Sequence, residues 1–242
     1  PPPEDLDDII LSSQKRLILD RNSNPLLKSY TGRWNEYQIK PLQEISPFIQ
    51  KAFITAEDKR FYEHLGVDWL ARINAVYMNL KALRIVRGAS TITEQVIRMI
   101  NPRPRTLWSR WLETVEAIWL ERKSSKTKIL EFYLNQVPFA ANRKGIVQAS
   151  SYYFDRTIDT LTVSEILALA TLLRSPSRLD LYKDPKKIIR PIKVLAKRLN
   201  LPLSKEELDF ELRKPGLQTK APHFVNFVNE RNKEKHQIIR TT

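Results

Sequence analysis

The chain has 242 residues, with 41 Lys+Arg against 27 Asp+Glu and a formal charge of +14; one large or two small domains of this length can bury a real core. Hydrophobic residues are 42% and charged residues 28%, a globular rather than a disordered balance. Cys is absent, which excludes disulfides, thiolate nucleophiles, iron–sulfur clusters and Cys-ligated zinc, and His64, His223 and His236 form no His-x-x-x-His pair for a zinc hydrolase.

Residues 1–8 (PPPEDLDD) read as a linker. Residues 15–20 (KRLILD), a turn over 21–24 and the chain from Pro25 predict a small β element. Helical spacing begins near residue 44, where Ile45, Phe48, Ile49, Ala52, Phe53 and Ala56 recur on one face, with Ser46 as N-cap and Pro47 in the first turn. Asp68 stands ready to cap a helix carrying Trp69, Leu70, Ile73, Val76, Tyr77 and Leu80. Thr91 and Glu94 have capping-box form. After Pro102 and Pro104, Trp108, Trp111, Leu112, Val115, Ile118 and Trp119 mark a long helix. Further helices fit 127–135, 145–154, 163–173, 186–198, 204–213 and 222–232; Thr162 and Glu165 box the start of the third of these, and Ser175-Pro176 stops it. Gly is only 5 residues, far below the usual ~7%, which favours helices over a turn-rich β-sandwich or a phosphate loop. The fold class is therefore mainly α with a short N-terminal β element. No apolar run approaches the ~20 residues of a membrane span. The chain opens on Pro1, so it is expected to be a piece of something longer whose signal or anchor lies elsewhere.

The positive charge is uneven. Residues 81–110 hold seven basic groups and one acid, Glu94, interleaved with Leu83, Ile85, Val86, Ile97, Met99, Ile100, Leu107 and Trp108. Apolar groups mixed with arginines suit a membrane interface better than a DNA groove. Residues 183–198, with seven basic groups against Asp184, read as a solvated helix face. A nucleic-acid role would rest on charge alone, since no binding motif accompanies it.

Glu57 follows Phe53 by four residues, so it lies on the apolar stripe of its helix. Partial desolvation there would raise its pKa and ready it as a proton acceptor; pairing with Lys59, Arg60 or another cation is the structural alternative. Around it Glu57 to Gly66 has the form E-D-x-x-F-x-x-H-x-G. Gly88 to Gln95 (GASTITEQ) is close to G-x-S-T-I-T-Q-Q. Glu113 to Glu121 fits E-x-x-x-A-x-x-L-E, Ile129 to Asn135 fits I-L-E-x-Y-L-N, and Leu169 to Pro176 fits L-A-x-L-x-x-x-P. With these five motifs in order, the sequence resembles the peptidoglycan glycosyltransferase domain, glycosyltransferase family 51, of class A penicillin-binding proteins and monofunctional transglycosylases.

The resemblance implies a lysozyme-like helical domain over 44–200 with a small membrane-facing jaw at about 76–108. The β element (1–43) would precede it, and a helical segment (201–242) would lead toward a transpeptidase domain, a junction that Ala221 to Val225 resembles. It implies inverting polymerisation of lipid II into β-1,4-linked glycan at the outer face of the bacterial cytoplasmic membrane. Lipid II, the growing glycan chain, the membrane surface and other cell-wall synthesis proteins would be partners. Glu57 falls on the catalytic base, which takes the proton of the acceptor 4-hydroxyl. Glu113 falls on the second carboxylate, near the leaving pyrophosphate, where a divalent metal (Mg or Mn) would bind; no organic cofactor is implied. Periodicity alone reads Glu113 as a solvated helix residue, on a side with Ser109, Ala117 and Leu120. Gln95 and Arg98 fall on substrate-binding positions, Arg98 and Arg110 would hold the pyrophosphate, and the helix start at Ser90 and Thr91 would add backbone donors. Asp58, Phe61 and His64, which with Gly66 shape the first motif, are expected at the substrate-binding site, and Glu131, Tyr133 and Asn135 are expected to be structural.

The chain departs from the pattern at Ser109, where the pair Ser109-Arg110 replaces Arg-Lys, at Glu94 for Gln, at Met99 for Asn, and after Asn135, where QVPFAANRKG resembles the class 1C type. Ser12 to Lys15 and Ser125 to Lys128 spell S-x-x-K without K-T-G or S-D-N, a coincidence. Two other readings stay open: a lysozyme-like hydrolase or lytic transglycosylase, which needs an acid rather than a base, and a weakly active precursor-binding module.

Overall fold

The computed structural model describes residues 38–83, 88–173 and 184–204 continuously, together with 6, 8, 9, 18, 19, 30, 32–35, 179, 181, 182, 206–208, 212, 239 and 240. Eight α-helices occur among the described residues: α1 (Pro47–Glu57), α2 (Trp69–Lys81), α3 (Ile92–Ile100), α4 (Leu107–Lys123), α5 (Lys126–Gln136), α6 (Gly145–Phe154), α7 (Val163–Leu172) and α8 (Lys186–Arg198). Short 3-10 turns stand at Leu42–Glu44, Ile158–Thr160 and Glu206–Leu208. The mainly α reading is borne out.

Local chemistry sets most helix starts. Ser46, Asp68, Thr91, Thr106, Ser125 and Thr162 each accept a backbone N–H with the side chain, and Thr91–Glu94 and Thr162–Glu165 close complete capping boxes. Ser125, the second S-x-x-K serine, is thus a helix cap. Ser204 and Glu207 exchange the same pair of bonds around the 3-10 turn at Glu206–Leu208; the rest of the helix expected at 204–213, that at 222–232, and the junction at Ala221 to Val225 lie outside the described residues.

The β element differs from its sequence reading. Ile18–Leu19 is extended, but it pairs in parallel with Ile239–Arg240, near the other end of the chain. A hairpin across the 21–24 turn would need residues that lie outside the described set.

The core forms around α7, buried from Ser164 to Leu172 and packed by α1, α6 and α8. On α1 the predicted stripe of Ile49, Ala52, Phe53 and Ala56 is buried, each large side chain adding roughly 1.5–3 kcal/mol. Helix α3 lies between α4 and α5.

Two helices face the opposite way from an ordinary amphipathic element. On α2 only Ala75 is buried, while Trp69, Leu70, Ile73, Val76, Tyr77 and Leu80 are exposed. On α4 the buried residues are Ser109, Glu113, Thr114, Ala117 and Leu120, while Leu107, Trp108, Trp111 and Val115 are exposed. This corrects the solvated reading of Glu113: the apolar stripe beside it turns outward, and the small and polar face turns in. The exposed band coincides with part of the predicted jaw, of which residues 84–87 lie outside the described set.

Candidate active site

Helix α3 organises the site. Its capping box buries Glu94 and Thr91, and Ile92, Val96, Ile97 and Ile100 fill the core. The helix is thereby fixed in rotation, and Gln95 and Arg98, one turn apart, each engage one of the two predicted carboxylates.

Glu57 ends α1. Gln95 Nε2 donates to Glu57 Oε2 at 3.0 Å, and Tyr133 Oη, on α5, donates to Gln95 Oε1 at 3.3 Å. Burial pushes the Tyr133 hydroxyl well above its ordinary value of 10.0, and the charges of Glu57 and Asp58 push it further. The Glu57 carboxylate can only accept, so Gln95 turns its amide hydrogens to Glu57 and its oxygen to the Tyr133 hydroxyl. Tyr133, expected to be structural, is thus part of the candidate site; its place in the I-L-E-x-Y-L-N motif was the available signal.

Glu113 is 5% exposed on α4. Arg98 meets both of its oxygens, Nε to Oε1 at 3.2 Å and Nη2 to Oε2 at 2.7 Å. This fork satisfies a carboxylate that would otherwise be costly to bury. The hydrogen bond to Glu113 raises the Arg98 pKa against the opposing effect of burial, with the charges of Glu113 and Glu94 helping. Nη2 also lies 3.5 Å from Ser90 Oγ, and the Arg98 side chain remains 40% exposed. An anion from solvent can therefore still reach it.

The remaining predicted residues divide by depth. Asp58 is buried and accepts from His64 Nε2 at 3.0 Å and from the Ile92 amide at 3.0 Å, tying the loop after α1 to the start of α3. Thr91 is buried, and its hydroxyl donates to the Gly66 carbonyl at 2.6 Å. The Thr91, Ile92 and Glu94 amides are taken by Glu94, Asp58 and Thr91 side chains, so the donors of this helix start point at internal acceptors. Phe61 is fully buried, with Lys126 Nζ 4.3 Å above its ring. Gly66 has φ +76°, and a Cβ there would stand 2.6 Å from the Ala117 carbonyl carbon. Only glycine lets this loop lie against α4 one turn beyond Glu113. Arg110 is exposed on α4, its carbonyl accepting from Thr114 at 2.9 Å. Glu131 and Asn135 are structural: Glu131 accepts from the Leu42 amide, and Asn135 pairs with the Lys40 backbone.

The fold and the site together define a helical domain with two carboxylates, Glu57 and Glu113, held on successive turns of one buried helix. The transglycosylase family model matches residues 23–200, and the chain belongs to that family. Penicillin-binding protein 1F of Bacillus subtilis (strain 168) is 38% identical over 180 residues, 74% of this chain and 25% of that protein. Penicillin-binding protein 4 of the same organism is 30% identical over 239 residues, 93% of this chain and 37% of that one. Penicillin-binding protein 1C of Escherichia coli (strain K12) is 34% identical over 166 residues, 68% and 21%. The chain thus spans between about a fifth and two fifths of the length of these relatives.

Proposed function

We propose that this chain is a peptidoglycan glycosyltransferase that polymerises lipid II into β-1,4 glycan. The observation that carries the reading is the attachment of Glu57 and Glu113 to adjacent turns of α3, one through Gln95 and the other through Arg98. The pairing separates two tasks. Glu57, hydrogen-bonded to the Gln95 amide, is assigned the proton transfer. Glu113, matched by a guanidinium, is set for electrostatic work.

In the transfer, Glu57 takes the proton of the acceptor 4-hydroxyl as that oxygen attacks the donor's anomeric carbon. The bond from that carbon to the pyrophosphate oxygen breaks with inversion, and the electron pair leaves with the lipid pyrophosphate. The half-exposed Arg98 guanidinium meets the charge developing there, and Arg110, exposed on α4, is the second cation assigned to it. Among the described residues no three His, Asp or Glu side chains gather, and Arg98 meets both Glu113 oxygens, so Glu113 would be at most a single protein ligand to a divalent magnesium or manganese ion. An ion so bound would neutralise part of the leaving group's charge.

The exposed apolar band of α2 and α4 supports work at the membrane surface, where the substrate's lipid tail is anchored, at the outer face of the cytoplasmic membrane. Among the described residues no helix is long and apolar enough to cross a membrane.

The test is polymerisation of labelled lipid II in detergent with divalent cation. Glu57→Gln should lower turnover by roughly 10²–10⁴-fold, with the melting curve unchanged. An unaffected variant would remove Glu57 from its role. Cleavage of purified sacculi without lipid II would replace the reading with a hydrolase.

A further inference from the structure

Helix α2 is held to the rest of the molecule in an unusual way. Its apolar side chains point outward, and its sole buried residue is Ala75, so little hydrophobic energy seats it. Polar bonds do so instead. Arg72, on the inner face, donates through Nη2 to Glu94 Oε1 on α3 and through Nη1 to Thr114 Oγ1 on α4 at 3.1 Å. Thr114 Oγ1, whose proton also faces the Arg110 carbonyl at 2.9 Å, lies 3.2 Å from Glu94 Oε1, so the three side chains stand in a ring across three helices. Glu94 Oε2 meanwhile accepts the Thr91 amide at 3.0 Å. The Glu94 side chain is only 3% exposed, and Arg72 is its salt-bridge partner.

This ring sits immediately behind the candidate site. Glu94 precedes Gln95, and it stands four residues before Arg98, on the same side of α3. Its charge is one of those that raise the Arg98 pKa. Anything that loosens α2 from Glu94 therefore acts on the helix that presents both the Glu57 partner and the Glu113 partner.

We propose that Arg72, Glu94 and Thr114 are positioning residues for glycosyl transfer, a latch that seats the outward-facing apolar helix α2 against the helix carrying Gln95 and Arg98. Glu94, a departure from the family's glutamine, is on this view the charge that complements Arg72. The inference rests on the reading under Proposed function for what the latch serves, but not for its existence.

Two measurements on the full chain separate these. The first is hydrogen exchange of the 69–81 amides, with α5 and α7 as internal controls. The second is lipid II polymerisation resolved into KM and kcat. In Glu94→Gln, which keeps an acceptor for the Thr91 amide but removes the charge, exchange in α2 should rise about tenfold, the effect of one charge-assisted hydrogen bond, while α5 and α7 stay unchanged. KM for lipid II should rise about as much, with kcat falling by a smaller factor. Arg72→Lys should restore most of both properties relative to Arg72→Gln. Unchanged exchange in α2 overturns the latch. Faster exchange in α2 with unchanged KM overturns the positioning role. Should Glu94→Gln lose structure throughout, Arg72→Gln, whose side chain is 32% exposed, decides by the same two readouts. An inactive wild-type chain would instead sink the proposed activity and leave the exchange arm to judge the latch.

Discussion

Tyr133 shows how much one buried hydroxyl can settle. Its proton goes to Gln95 Oε1, while Gln95 turns its amide nitrogen to the Glu57 carboxylate, which can only accept. Tyr133→Phe removes the donor to Gln95 Oε1 and loosens the side chain that holds Glu57. Turnover of lipid II should fall about tenfold, equivalent to ~1.4 kcal/mol, while thermal unfolding shifts by at most a few degrees. Steady-state kinetics and a melt on one preparation check both. Of the site, Glu57 was legible from spacing, because it shares the stripe of Ile49 and Phe53. Glu113 was not, because what permits its burial is Arg98, fifteen residues earlier and on another helix, and periodicity along one helix is blind to a partner on the next. Only the motif resemblance pointed to it.

At the level of elements, caps and boundaries were legible. Ser46, Asp68, Thr91 and Thr162 are local signals, read by atoms within four residues. What escaped was direction: the pattern of α2 and α4 shows that one face is apolar, but not whether that face meets protein or something outside it. Asp68 illustrates how weakly α2 is otherwise secured. Burial alone would raise its pKa, but the Ala71 amide and Arg60 outweigh burial and hold the carboxyl below its ordinary value of 3.8. A lowered folded-state value means that the cap's contribution, ~1 kcal/mol, is present above pH 3.8. It fades as the pH falls through the folded value. Protection of the 69–81 amides, measured by hydrogen exchange down an acid series, should decline in that window in the wild type. In Asp68→Asn this pH-dependent decline should be smaller than in the wild type.

For the whole molecule, charge and exposed apolar surface act together. A net charge of +14 would attract an anionic bilayer over a Debye length, and the exposed Leu107, Trp108, Trp111 and outer face of α2 would be what enters it. Sedimentation with vesicles containing anionic phospholipid should show binding that weakens with added salt, and the double substitution Trp108→Ser/Trp111→Ser should weaken it by at least about tenfold. Binding indifferent to both would mean that the band serves another partner. The two indoles stack at 5.1 Å with a 16° tilt, and both are exposed to water. Together with Trp69, they make three of the chain's five tryptophans natural optical reporters. Emission colour and the near-ultraviolet dichroism of the coupled rings would register contact with lipid directly, with no dye or label attached.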